Sequence, residues 1–256
     1  MRVVVAIVTL VMLVGATSAR ADSDDIVARP LVLRPGQLEA VVTLELELAP
    51  RKFSEPTSVA PDLWIGATPR WTLGLIHSNP SVDRIAAGAS FCVKHSDIGC
   101  HRTYHGSGLD VRYAARDGAL AVAPRARLLV RELEPFKPAL TVGALARWQR
   151  GRFAVSGDPY LRLGLANRDK GNRAALVLPV FVTIQPTCRW ALWVQSGWDS
   201  DLAVWRDGWH VPLGYGVRVR VTEHLDFTAS HGFPSVFGPQ DTAVRRALFF
   251  ALGWRT

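Results

Sequence analysis

The sequence lacks the features that mark helical membrane proteins and proteins that bind nucleic acids. After the first 21 residues, no stretch approaches the ~20 consecutive apolar residues that a membrane-spanning helix requires, and no apolar period of 3.6 residues is sustained. Positive charge is carried almost wholly by arginine, and no basic run is interleaved with aromatic residues, so we expect no nucleic-acid partner. If the mature chain crosses a membrane, it must cross with strands.

Cysteine is also scarce, with 3 residues in 256. Cys92 and Cys100 lie close together in the chain, and an oxidising compartment would favour a disulfide between them, worth roughly 2–3 kcal/mol for so short a loop. The alternative is a zinc ion held by both cysteines and the neighbouring histidines His95, His101 and His105, but the spacing fits no standard zinc pattern. We therefore predict the disulfide, no metal, no cofactor and a free Cys188.

The N-terminus predicts export from the cell. A basic start precedes an apolar run over residues 3–14, and small residues follow it up to the cleavage motif Ala19-Arg20-Ala21. This pattern is typical of a secretory signal peptide and is too short for a membrane helix. We predict a cleaved signal peptide at residues 1–21, a polar, proline-broken lead-in on the periplasmic side at residues 22–36, and one large β-domain at residues 37–256.

The last stretch, residues 244–254, shows how this domain is built. In an extended strand, one face would be bulky and apolar and would end in Leu252 and Trp254, while the other would be mostly small. A strand this apolar at a chain end would be a sticky edge unless another strand covers it. If the last strand pairs with the first strand, residues 37–48, this edge is covered and the sheet closes into a barrel.

Twelve strands can be placed along the chain, each near the ~9–11 residues that cross a bilayer at a tilt. They are residues 37–48, 59–68, 71–77, 106–116, 119–131, 138–149, 152–166, 173–185, 189–198, 209–221, 225–237 and 244–254.

The connections between these strands favour a transmembrane barrel. Short turns alternate with longer loops, which include a loop over residues 49–58 and the long outer loop 78–105, and this asymmetry is typical of bacterial barrels. Tryptophans also mark the strand ends on the turn side, as a membrane girdle would: Trp71, Trp148, Trp190 and Trp254. The predicted fold is all-β, a closed antiparallel up-and-down transmembrane β-barrel of about 12 strands. The alternative is a soluble, lipocalin-like barrel with the same alternation turned inside out.

The final strand resembles the closing strand of bacterial outer-membrane β-barrels, which end in alternating apolar residues with an aromatic near the terminus. Here Trp254 is followed by Arg255 and Thr256. The resemblance implies a Gram-negative outer membrane as the location, its lipid as the surroundings, and recognition of residues 244–256 by the barrel-assembly machinery. Narrow twelve-strand porins for acidic sugars have arginine-rich lumens, and this sequence is similar to them in that respect.

Charged side chains on the strands are expected to point into the barrel, because an arginine at the lipid midplane costs ~2–4 kcal/mol. The predicted lumen residues are Arg125, Arg127, Arg147, Arg162, Arg218, Arg220, Glu39, Glu45 and Glu47. In one interpretation they line a water-filled passage, and the protein is a channel or transporter for small anionic solutes. In the other, they neutralise one another, as Glu39 could with Arg255, and the protein is a non-conducting structural or surface-recognition barrel.

A third hypothesis is an outer-membrane lipid hydrolase, raised by His77 and Ser78. Outer-membrane phospholipases resemble this chain in barrel type, and their motif places a histidine and a serine two positions apart on one strand face, where the histidine can activate the hydroxyl. Here the two residues are adjacent and would point to opposite faces. We therefore expect no enzymatic activity.

Overall fold

The computed structural model describes residues 25–49, 52–77, 79–80, 87–88, 91–95, 102–239 and 246–256. Its strands in these ranges are β1 (Leu38–Ala49), β2 (Lys52–Thr68), β3 (Trp71–Ile76), β4 (Asn79–Pro80), β5 (Ala87–Gly88), β6 (Phe91–Lys94), β7 (Gly108–Tyr113), β8 (Leu120–Leu133), β9 (Phe136–Arg150), β10 (Phe153–Gly157), β11 (Tyr160–Gly164), β12 (Ala175–Ile184), β13 (Trp190–Asp201), β14 (Trp209–Arg220), β15 (Leu225–Phe237) and β16 (Ala247–Arg255). Two short 3-10 helices, Ile26–Ala28 and Leu202–Val204, accompany them. No helix in the described ranges is long and apolar enough to cross a membrane.

Twelve strands close into one barrel when β10 and β11 are taken as two halves of the same strand. The hydrogen-bonded order is β1-β2-β3-β7-β8-β9-β10-β12-β13-β14-β15-β16, and β11 continues β10 between β9 and β12. The last strand covers the first in a register that runs from Glu39 opposite Arg255 to Glu47 opposite Ala247. The wall pairings are antiparallel throughout, so the predicted closed, all-β barrel is confirmed.

The wall has the opposite polarity to that of a soluble protein. Apolar side chains project outward and are exposed, as Leu128 (52%) and Val194 (47%) illustrate. Polar side chains project inward and are buried, and Asp110 and Thr141 are each only 1% exposed. A soluble barrel would bury the leucines and expose the polar face, so the lipocalin-like alternative is wrong. The outer face is an apolar belt suited to lipid.

The connections at one end of the barrel are all short, whereas those at the other end vary and include two of two residues, at 50–51 and 134–135, and one of ten, at 165–174. We call the end with short connections the turn end, and its connections are residues 69–70, 114–119, 151–152, 185–189 and 221–224. We call the opposite end the loop end. The tryptophans predicted for the turn end all have side chains exposed on the outer surface there: Trp71, Trp148, Trp190 and Trp254. This arrangement agrees with the predicted parity, in which the turn end is periplasmic.

Some described residues at the loop end form strands where the sequence predicts loops. The predicted loop 49–58 is largely strand, because β2 begins at Lys52 and pairs with β1, with a register shift between Leu46 and Leu48. Within the long loop 78–105, β6 pairs with the part of β2 that extends beyond the end of β3. The physical reason is that the backbone groups of β2 at this level need partners after the short β3 has ended, and β6 supplies them.

The predicted strand 152–166 is interrupted in the middle. β10 ends at Gly157 and β11 begins at Tyr160, so Asp158 and Pro159 form a kink in the wall. Proline has no N–H group to donate to the neighbouring strand, which explains why pairing stops there. A register shift between β14 and β15 likewise flanks Pro212.

Candidate functional site

Residues 25–36, which we call the plug, lie inside the barrel at the turn end. At its start, the N–H of Val27 donates to Gln185 Oε1 (3.0 Å) in the β12–β13 turn, and Gln185 Nε2 donates to Asp25 Oδ1 (2.8 Å). Near its other end, the N–H of Leu33 donates to Thr72 Oγ1 of β3 at 2.8 Å. Because β3 and β12 lie far apart in the strand order, the plug crosses the lumen from one wall to the other.

Arg29 holds the middle of the plug. Its guanidinium forms a bidentate pair with the carboxylate of Asp226 on β15. Its carbonyl oxygen accepts a hydrogen bond from Nη1 of Arg147 on β9. The side chains of Arg29 and Asp226 are only 17% and 12% exposed, so water and salt screen this pair less than they would a surface pair.

Two apolar pairs in the plug explain why it enters the barrel. Residues 26–27 and 32–33 are all buried, and Leu33 belongs to a buried apolar cluster with Trp64. The wall is shaped to receive the plug, since a Cβ at Gly66 would lie 1.9 Å from the carbonyl oxygen of Arg34.

The plug differs from the lead-in that the sequence predicts for residues 22–36. The plug lies at the turn end, which is the predicted end of the barrel, but it lies within the lumen. The prediction instead places it on the periplasmic side, ahead of the first strand. The signal that could have indicated this position is the pair of apolar dipeptides Ile26-Val27 and Val32-Leu33 in an otherwise polar segment. Residues 22–24 and the predicted signal peptide lie outside the described ranges, so cleavage after residue 21 stays a prediction.

Asp110 of β7 is the centre of an ion-pair network in the lumen. Its carboxylate accepts from Nε1 of Trp64 at 2.8 Å and from Nε of Arg112 at 2.9 Å. Arg125 of β8 approaches it with two nitrogens, Nε at 2.7 Å and Nη2 at 2.8 Å. A carboxylate that is 1% exposed is therefore paired and hydrogen-bonded, as a buried charge must be.

Asp158, at the kink between β10 and β11, extends this network. Its Oδ2 accepts from Nη1 of Arg125 and from Nη2 of Arg127, each at 2.7 Å. The guanidinium of Arg127 also lies over the ring of Tyr160, 4.7 Å from its centroid. The kink thus brings a carboxylate to the arginines of β8, a contact that no local pattern around Asp158 in the sequence indicates.

A cavity of about 360 Å³ lies between the plug and the strands from β9 to β16. Two of the predicted lumen arginines, Arg147 and Arg218, line it. Arg147 donates Nη1 to the plug carbonyl, and Arg218 donates Nε to Thr228 Oγ1 at 3.2 Å. Among the described residues, no carboxylate oxygen lies within 4.0 Å of either guanidinium. These two cations therefore face the cavity without the close neutralisation seen in the network above.

The mouth at the turn end holds another group of charged side chains. Arg220, Arg34 and Glu223 line a second cavity there. Beside it, Nη2 of Arg255 lies 2.8 Å from Oε1 of Glu39, the pair that barrel closure predicts.

All nine predicted lumen residues lie on inward faces, but they do not form one site. Arg125 and Arg127 belong to the ion-pair network, Arg147 and Arg218 to the cavity, and Arg220 and Glu39 to the mouth. Arg162 and Glu45 are each 3% exposed elsewhere in the interior, and Glu47 follows on the same face of β1.

Two further sequence predictions involve residues outside the described ranges. Cys100 is one of them, so its disulfide with the buried Cys92 stays a prediction, whereas Cys188 is free and exposed as expected. Ser78 is the other. Its neighbour His77 has ring Nδ1 2.6 Å from the carbonyl oxygen of Pro61.

No protein-family model matches this chain, and none of the curated proteins does. Solved structures do match. The chain is similar to the NanC porin, with a TM-score of 0.58 and 10% identity over 84% of this chain and 98% of that one. It is similar to the KdgM porin in complex with disordered oligogalacturonate, with a TM-score of 0.56 and 6% identity over 84% and 98%. It is also similar to an outer-membrane channel from Pseudomonas putida F1, with a TM-score of 0.51 and 11% identity over 88% and 97%.

Similarity at these identities shows the fold. The chain is a closed twelve-strand barrel that shares its fold with these bacterial porins and channels, and its outer face is an apolar belt. The predicted outer-membrane location is confirmed by these two observations together.

Proposed function

We propose that this protein is an outer-membrane channel for small anionic solutes and that the plug forms its constriction. The observation that carries the proposal is the position of Arg147 and Arg218, which face one cavity beside the plug with no carboxylate oxygen within 4.0 Å among the described residues. An inward-facing charge between low-dielectric walls produces a field that concentrates ions of opposite sign. Arginine rings are one way in which pores select anions.

The plug sets the geometry of this path. It spans the turn end, and Arg147 donates to its backbone, so a solute passing the constriction would meet the free side of that guanidinium. Arg34 and Arg220 at the mouth extend the positive lining toward the turn end. A narrow passage with cations at its tightest point favours anions that are small enough to pass the plug.

The structural neighbours support a channel role. Those described above are named as porins or channels, and the complex of the KdgM porin holds oligogalacturonate, a chain of acidic sugars. What they share with this chain is the barrel, so the anion preference proposed here rests on this chain's own arginines.

The first test is ion selectivity in planar lipid bilayers. We expect the wild-type protein to show anion-selective steps, measured as the reversal potential in a KCl gradient, with a preference that weakens at high salt because screening shortens the range of the field. The double variant Arg147→Gln with Arg218→Gln should move the reversal potential toward equal permeability. Arg116→Gln removes an exposed charge from a turn and should leave it unchanged. Cation selectivity in the wild type, or a double variant that keeps the full anion preference, would contradict the proposal.

A non-conducting structural barrel is the second candidate function. It is favoured by the ion pairs of Asp110 and Asp158 and by the plug, which together occupy much of the interior. Absence of conductance both in the wild-type protein and in a variant lacking the plug would support this function over the channel.

A further inference from the structure

We infer that the cavity beside the plug is a binding site for small carboxylates that carry an apolar ring, rather than for hydroxyl-rich acidic sugars. The inference rests on the proposed function and deepens it, because it names the class of anion that the constriction would accept. It comes from the chemistry of the cavity wall.

Most of the wall is apolar. The plug contributes Ile26, Val27 and Leu31, and the barrel contributes Phe181 of β12 and Trp193 of β13. The two aromatic rings meet edge to face, with centroids 5.8 Å apart. Lumen faces of channels are ordinarily polar, so a cavity wall that combines two aromatic rings with three aliphatic side chains is unusually apolar and suits a ligand with an apolar ring.

The charged part of the wall is cationic. Arg147 is 8% exposed, and its Nε is buried without a hydrogen-bond partner among the described residues, while Nη1 is bound to the plug. Arg218 donates Nε to Thr228, and no residue in the described ranges binds its two Nη groups, so both can donate to a ligand. Arg29 and Arg255 also line the cavity, but each is already paired with a carboxylate. The site therefore offers guanidinium donors suited to one carboxylate.

Few hydroxyl groups in the cavity wall could replace the hydrogen bonds that water makes to the hydroxyls of a sugar. The hydroxyls that line the cavity are those of Ser156, Thr183 and Thr228, and Thr228 already accepts from Arg218. A ligand with several hydroxyls would leave some of them unpaired on entry, which costs affinity. A ligand with an apolar ring would instead bury its ring against apolar side chains, which favours binding. The cavity, at about 360 Å³, falls within the range of small-molecule sites.

The experiment compares three probes by isothermal titration calorimetry on the full mature chain, refolded in detergent. Phenylacetate has the ring and the carboxylate, galacturonate has a carboxylate on a hydroxyl-rich ring, and 2-phenylethanol has the aromatic ring without the charge. We expect phenylacetate to bind at least about tenfold more tightly than either of the others. Arg218→Gln and Arg147→Gln should each weaken phenylacetate binding by about tenfold, and Arg116→Gln should not change it.

A variant of the plug tests the apolar wall without altering the barrel. Val27→Thr keeps the shape of a side chain that is 4% exposed but adds a hydroxyl, and it leaves the backbone bond to Gln185 in place. It should weaken phenylacetate binding and leave galacturonate binding unchanged. Circular dichroism and the heat-dependent shift on gels check that each variant is folded.

Two results would overturn the inference: galacturonate binding as tightly as phenylacetate, or phenylacetate binding that is the same in the wild type and both arginine variants. The outcome is separable from the channel proposal, because binding is measured in detergent without any conductance. If the protein binds phenylacetate but never conducts, the channel proposal is wrong and the proposed binding site stands. If the protein conducts anions but binds galacturonate more tightly than phenylacetate, the channel proposal stands and the proposed ligand class is wrong.

Discussion

At the scale of single residues, the interior is organised by carboxylates that sit among arginines. Asp110 shows this most clearly, since it is buried and bound by Arg112, Arg125 and Trp64. Arg112 also stacks on Trp64, with its guanidinium carbon 4.7 Å from the ring centroid. Removing the carboxylate would take from Arg112 its carboxylate partner and from Arg125 one of its two, since Arg125 also pairs with Asp158, and this is the costly way to break a buried ion pair.

We therefore predict that Asp110→Asn destabilises the barrel by about 3–5 kcal/mol. The substitution keeps the size of the side chain, so the loss reports on charge and not on packing. Urea unfolding of the protein in detergent, followed by tryptophan fluorescence, measures it. Asp207→Asn, at an exposed position near the loop end, should stay within about 0.5 kcal/mol of the wild type. Equal stability of the two variants would show that the network contributes little.

At the scale of elements, the plug is the part of the molecule whose position depends on contacts at a few separate points. It is bound at the β12–β13 turn, at Asp226 and Arg147, and at Thr72. Each of these bonds joins the plug to the wall, and none joins one wall strand to another. The barrel therefore keeps its hydrogen-bonded strands if the plug leaves. The plug is therefore expected to be separable from the barrel in a way that no wall strand is.

We predict that Gly66→Ala displaces the plug and raises single-channel conductance. A Cβ at Gly66 would lie 1.9 Å from the carbonyl oxygen of Arg34, which is too close for two non-bonded atoms. A Cβ at Gly253 would lie 3.8 Å from its nearest neighbour, an ordinary contact distance. Gly253→Ala is accordingly the matched control. Deletion of residues 25–35 should raise conductance further than Gly66→Ala does. Recordings in planar bilayers decide the matter, and identical conductance in all four proteins would mean that the plug does not constrict the path.

At the scale of the whole molecule, the decisive property is the inverted polarity of the wall. Val194 lies on the outward face of β13 and is 47% exposed. If that face contacts lipid, an arginine there must leave water for hydrocarbon. The same substitution close to the membrane interface would cost far less, because the side chain could reach the headgroups.

We predict that Val194→Arg lowers the stability of the barrel in lipid vesicles by ~2–4 kcal/mol, against ~0–1 kcal/mol for Val221→Arg at the turn end. Both positions are exposed valines, at 47% and 53%, so the comparison isolates depth in the membrane. Equilibrium folding into vesicles under a denaturant gradient gives the two free energies. If both variants lost the same amount, the outer face would not be a lipid-facing belt.

The sequence by itself determined the wall of this protein. A period of two is a local property, so alternating residues divided each strand into two faces and located the twelve wall strands, although the second strand begins at Lys52, seven residues earlier than predicted; closure then placed Glu39 beside Arg255. Only the tertiary structure decided what the lumen contains. The plug lies against Gln185, Asp226 and Thr72, and Asp158 reaches the arginines of β8 through a kink. Such contacts join residues far apart in the chain, and they depend on the shape of the closed barrel rather than on any local pattern.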